Sequence, residues 1–115
     1  MFLAAAVQLT CTSDADRNWR AAEALVRRAA GYGARFVATP ENTNFLGPHT
    51  DKVRLAETLD GPTIGRFAAL AAELGIHLLV GSFNEKAHTE GKCFNTSVLL
   101  GPDGRRVAAY RKLHL

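Results

Sequence analysis

Two stretches of this chain carry residues suited to chemistry. One is Pro40-Glu41, a carboxylate placed directly after a proline. The other is Tyr110-Arg111-Lys112-Leu113, a lysine set among apolar and aromatic neighbours. A carboxylate can take a proton from a nucleophile, and an ammonium can hold the charge that then develops on an acyl oxygen. An ammonium buried without a partner is costly. Glu41 is its natural partner, so a Glu41–Lys112 pair is predicted, with Glu41 as a catalytic carboxylate. Spacing alone leaves two plainer readings open. Glu41 could be a solvated loop glutamate, and Lys112 could snorkel to water from an amphipathic edge strand. The two thiols, Cys11 and Cys93, are far apart and in no metal-ligand spacing. That speaks against a zinc site or a disulfide framework and fits a reducing cytoplasm. Cys11 follows the first strand and could face the same edge as Glu41, whereas Cys93 falls in a polar loop.

Strand and helix signals place these groups. Residues 2–9 (FLAAAVQL) form an apolar run of strand length, expected to be covered on both faces. Ser13 with Asp16 resembles a capping box opening a helix. Trp19, Ala22, Val26, Ala29 and Ala30 recur at helical spacing, with Trp19 as a core anchor, and Gly31 and Gly33 end the helix. Residues 34–39 make a second strand, completing a parallel βαβ unit. A residue before proline is pushed into extended backbone, so this strand stops hard and presents Glu41 at its carboxyl end. Ligands of α/β folds bind at that edge.

Residues 42–53 are predicted as an irregular polar loop from which Asn44, Phe45 and His49 could line a pocket, with no role assigned to His49. Residues 60–63 turn into a helix over 64–74, capped by Gly75. Residues 76–83 form a third, central strand. Its Gly81 suggests close approach of another backbone, and its His77 is expected to be packed. Residues 84–92 are predicted as an exposed loop. Residues 94–100 and 107–115 then form a hairpin around Pro102-Asp103-Gly104, which puts Tyr110, Lys112 and His114 on one face. The fold class is α/β, an α+β mixed sheet that is parallel first and antiparallel at the hairpin.

Composition bounds the partners. With 115 residues the chain suits one domain, and 47% hydrophobic with 22% charged content is that of an ordinary globular protein. A net charge of +3, with basic residues scattered, speaks against a nucleic-acid surface. The apolar start lacks a basic leader and is too short to span a bilayer, so neither signal peptide nor membrane anchor is expected. The elements are too few to cover so hydrophobic a sheet, and the last strand has no polar tail. Residues 1–115 are therefore expected to be the amino-terminal part of a single larger domain.

Taken in order, the sequence resembles the nitrilase, or carbon-nitrogen hydrolase, superfamily. The matching pieces are Ala6-Val7-Gln8-Leu9, Pro40-Glu41, Leu59-Asp60-Gly61-Pro62, Val80-Gly81-Ser82-Phe83, Phe94-Asn95-Thr96-Ser97, Gly101-Pro102-Asp103-Gly104 and Tyr110-Arg111-Lys112-Leu113-His114-Leu115. Within the family it is most similar to the small amidases, the branch of omega-amidase and the amidase of deaminated glutathione. The resemblance implies the amino-terminal part of an α-β-β-α sandwich and a Glu-Lys-Cys triad. Glu41 matches the general base and Lys112 the oxyanion-stabilising lysine. It implies hydrolysis of an amide or nitrile of a small carboxylate through a thioester, with no cofactor and no metal, in a homo-oligomer. Neither Cys11 nor Cys93 matches the family's nucleophile, which lies well beyond the lysine motif, so residues 1–115 alone are expected to be inactive. The alternative is a catalytically inactive truncated relative that acts, if at all, as an association module.

Overall fold

The computed structural model describes residues 1–113. Five strands form one sheet in the order β1-β2-β3-β4-β5. They are β1 (Leu3–Ala6), β2 (Ala34–Ala38), β3 (His77–Lys86), β4 (Cys93–Leu100) and β5 (Arg106–Arg111). Three helices intervene: α1 (Ala15–Gly31), α2 (His49–Arg54) and α3 (Pro62–Leu74). β1, β2 and β3 run parallel, and β3–β4 and β4–β5 pair antiparallel. This is the mixed α/β architecture that the sequence predicts.

The sheet's register explains its core. Val37 pairs with Leu78, Leu78 with Leu100, and Val80 with Val98, so these side chains share one face. All are buried, with Ala22 and Val26 of α1 and Ile64, Phe67, Leu70 and Ala71 of α3 packed over them. Trp19 meets Phe67 edge-on at 5.0 Å between ring centroids, as a core anchor should. The opposite face carries Phe36, Leu79 and Leu99, half-buried, and an exposed Tyr110. Neither α1 nor α3 covers it.

Several expectations need correction. β1 is shorter than residues 2–9 and mostly exposed, because it is the sheet edge. Asp14, not Ser13, caps α1: its backbone is extended and its side chain accepts from Arg17 N at 3.1 Å. The stretch 42–53 is not wholly irregular, since it holds the two-turn α2, which buries no side chain and so leaves no periodic signal. Helix α3 begins at Pro62, where a missing N–H costs nothing. Glu57 satisfies its next donors, accepting from Thr63 N at 2.8 Å and Thr63 Oγ1 at 2.7 Å.

His77 is exposed at the start of β3 rather than packed. Strand β3 runs on to Lys86, so Asn84 and Glu85 are buried strand residues, not an exposed loop. Strand β5 ends at Arg111, leaving Lys112 just past it. The predicted position of His114 lies outside the described residues.

Candidate active site

The topology alone gathers Glu41, Asn95 and Lys112. Parallel β1, β2 and β3 end at one edge of the sheet. β4 runs the other way, so its start lies there, and β5 reverses again, so its end lies there. Glu41 follows β2, Asn95 sits near the start of β4, and Lys112 follows β5. Lys112 Nζ lies 3.5 Å from Glu41 Oε1, so the structure brings the predicted pair together. The site is open, with about half of the Glu41 side chain and nearly two-thirds of Lys112 facing solvent.

The turn bearing Glu41 is tied down from several sides. Thr39 N donates to Leu79 O at 2.9 Å, keeping β2 in the ladder to its end. Asn42 takes a left-handed conformation (φ 55°), which asparagine tolerates better than most residues, and its N–H donates to Ser82 Oγ at 2.9 Å. Thr43 N donates to Ser82 O at 2.9 Å and Ser82 N to Pro40 O at 3.2 Å. The Thr43 hydroxyl also reaches Thr39 Oγ1 (2.9 Å) and Pro40 O. β3 is irregular where it meets this turn, between Val80 and Phe83. Gly81 lies there against the Thr39 carbonyl, with no room for a Cβ. The close backbone approach expected at Gly81 is present.

A second layer of buried polar residues holds the flanks. Asn18, 1% exposed, accepts from Thr12 N (2.8 Å) and donates to Thr12 O (2.7 Å) and Asn44 O (3.0 Å). Asn84 donates to Phe45 O at 2.9 Å, and its N–H donates to Asn44 Oδ1 at 3.1 Å. Phe45, 3% exposed, is therefore a buried support for the Glu41 loop, whereas Asn44 both supports that loop and, as anticipated, lines a cleft, one of about 200 Å³ shared with Trp19, Glu57 and Thr63. His49 does line a cleft of about 520 Å³ next to the pair, with Lys52, Lys92, Cys93, Phe94 and Lys112. Its Nε2 lies 3.2 Å from Gly91 O across that cleft.

Lys112 is positioned from behind. Its N–H donates to Asn95 O at 2.8 Å. The preceding Arg111 points to the helix face, where Nε and Nη2 each donate to Glu85 at 2.8 Å. Glu85 is 4% exposed and also accepts from Thr96 Oγ1 at 2.7 Å. The Arg111 guanidinium stacks over the Phe94 ring, 4.5 Å from its centroid. The hydrogen bonds from Arg111 hold the Glu85 carboxyl below its ordinary value of 4.5, against the opposing effect of burial. Its stabilisation is thus complete above the unfolded-state pKa and is lost as pH falls through the lowered folded value. Glu85→Ala, which strands the buried Thr96 hydroxyl, should cost about 1–3 kcal/mol at neutral pH. The gap to wild type should begin to narrow as pH falls below about 4.5 in urea titrations at a series of pH values.

Cys11 is not set up as a nucleophile for this pair. Cys11 does reach the same edge, but its Sγ donates to the backbone carbonyl of Glu41 at 3.7 Å, and burial raises its pKa. A raised pKa keeps it a thiol when the thiolate is what attacks. Cys93 is free and half-buried in the lining of the cleft. No cluster of metal ligands occurs among the described residues. Nor is any helix among them long and apolar enough to cross a membrane.

Asn95 is the site residue that sequence reasoning missed. Its Nδ2 donates to Glu41 Oε1 at 2.7 Å, closer than Lys112. The available signal was an amide near the start of a strand whose antiparallel neighbour leads directly into Lys112.

Comparison with known proteins agrees with this geometry. The carbon-nitrogen hydrolase family model matches residues 3–115. The chain is 36% identical over 115 residues to a deaminated glutathione amidase of Synechocystis, and 36% identical over 116 residues to a human omega-amidase. Each match takes in 99% of this chain, but 42% and 41% of the relative, so the chain spans about two-fifths of these proteins' length. Among solved structures, the NitFhit protein of C. elegans superposes with a TM-score of 0.87 at 28% identity, over 96% of this chain and 27% of that one. A branch 10 nitrilase-superfamily protein of Saccharomyces cerevisiae superposes at 0.80 and 27% identity, over 94% and 42%. With its sheet order, its Pro-Glu edge and these matches together, the chain belongs to the carbon-nitrogen hydrolase family.

Proposed function

We propose that this chain supplies the general base and the oxyanion-holding cation of an amidase whose nucleophilic cysteine lies outside residues 1–115. The observation that carries the proposal is the Glu41–Lys112 pair at the carboxyl edge of the sheet. Glu41 takes the proton of the thiol, and the thiolate attacks the amide carbon. The carbonyl electron pair moves to oxygen, where Lys112 stabilises it. The C–N bond then breaks, and the nitrogen leaves as ammonia or an amine with the proton held by Glu41. Water, deprotonated by Glu41, hydrolyses the thioester and restores the thiol. A nitrile would enter by the same attack on carbon. The scheme calls for no metal or organic cofactor.

The cleft beside Lys112 supports an amide of a small carboxylate as substrate. Lys52, Lys92 and Lys112 line it together with His49, and among the described residues no acidic side chain does. On this reading the sheet face carrying Phe36, Leu79 and Leu99 packs against the remainder of one larger domain, and residues 1–115 alone do not turn over. The full-length protein acts in the cytoplasm, where two free cysteines and a catalytic thiol stay reduced, and assembles as a homo-oligomer. Ammonia release by the full-length protein, measured on a panel of ω-amides, neutral amides, nitriles and N-carbamoyl compounds, tests the proposal. The ω-amides of small carboxylates should give the highest kcat/KM. Turnover of none of the panel would overturn it.

A further inference from the structure

We infer that Asn95 is a positioning residue that fixes which oxygen of Glu41 receives the proton. The inference rests on the amidase reading above and goes beyond it to a single atom. Glu41 Oε1 accepts from Asn95 Nδ2 at 2.7 Å and faces Lys112 Nζ at 3.5 Å. Among the described residues, no side chain donates to Oε2. Two donors therefore occupy one oxygen and leave the lone pairs of the other free. In the transfer, the S–H bond of the nucleophile breaks, an O–H bond forms at Oε2, and Oε1 stays in its two contacts.

Asn95 is suited to this because its own position is fixed. It lies in β4, paired with Asn84 of β3, and is half-buried. Its carbonyl accepts the N–H of Lys112 at 2.8 Å, so one residue holds the carboxylate by its side chain and the lysine by its backbone. Glu41 itself is half exposed on a turn, and among the described residues only Lys112 would be left to orient its carboxylate without Asn95. Lys112, itself nearly two-thirds exposed, is the longer and weaker of the two contacts. Misplacing a reacting group by about 1 Å can cost roughly 10²-fold in rate.

The test is made in the full-length protein, by kinetics of ammonia release from an ω-amide. Asn95→Ala should lower kcat about 10- to 100-fold, with KM within about threefold and the melting temperature within a few degrees of wild type. The near-isosteric Asn95→Asp should lower kcat further, since it removes the donor and sets a like charge against Glu41. In a Glu41→Gln background, Asn95→Ala should add less than about twofold, because an absent base cannot be misplaced. Two results would overturn the inference: an Asn95→Ala kcat within twofold of wild type, or an equal loss in both backgrounds, which is the mark of a merely structural role. A wild-type protein that released no ammonia would instead sink the amidase reading. The contact would then be judged by the side-chain amide resonances of ¹⁵N-labelled Asn95. Glu41→Ala should move them, and resonances that stayed put would overturn the inference on their own.

Discussion

Glu41→Gln in the full-length protein should lower kcat by about 10²–10⁴-fold, the usual worth of a general base. That corresponds to roughly 3–5 kcal/mol of transition-state stabilisation. Glutamine keeps the length and shape of glutamate, and its oxygen can still accept from Asn95 Nδ2, so the turn should hold its place. What is lost is basicity. The substitution also removes the charge facing Lys112, but that pair is exposed and an exposed ion pair contributes little to folding. The variant should therefore unfold at nearly the wild-type urea concentration while hardly turning over. A kcat within threefold of wild type would mean that Glu41 is the solvated loop residue that spacing alone allows.

The second large effect is on stability. Gly81→Ala should destabilise the protein by about 3 kcal/mol or more, because the added methyl meets main chain instead of a side chain that can yield. The obstacle is the carbonyl of Thr39, the residue that leads into Pro40-Glu41. Relief requires β2 and β3 to move apart where Gly81 N donates to Thr39 Oγ1 at 3.1 Å and Ser82 N to Pro40 O. The damage thus falls on the turn that carries the candidate base, and activity should fall with stability. A contrasting site is Gly65 in α3, where an added Cβ meets nothing within 4 Å. Gly65→Ala should stabilise by about 0.5–1 kcal/mol through helix propensity. Urea midpoints at constant m measure both, and a Gly81→Ala midpoint near wild type would refute the close-approach account.

The sequence was most legible where function and local pattern coincide. The apolar run ending at Pro40 fixes both the end of β2 and the edge on which Glu41 sits. Gly81, out of place in a central strand, announces the close packing that holds that edge. The hairpin signal at Pro102-Asp103-Gly104 returns the chain so that Lys112 arrives beside Glu41. The parts that stayed hidden depend on distant partners. Asn84 and Glu85 look like loop residues until Asn44, Phe45, Thr96 and Arg111 are seen to satisfy them. α2 spans six residues with none buried, so no apolar period marks it. Asn95 is silent for the same reason as Asn84: its importance lies in a carboxylate 54 positions away.

The central claim is that Glu41 and Lys112 act on a thiol outside this chain. It is tested most directly by acid-quenching the full-length protein during turnover of a small ω-amide and mapping the acyl adduct by mass spectrometry. The predicted result is one acyl group on a cysteine outside residues 1–115, absent from Glu41→Gln and from Lys112→Ala. An adduct on Cys11 or Cys93, or an adduct that forms at the wild-type rate in both variants, would contradict it.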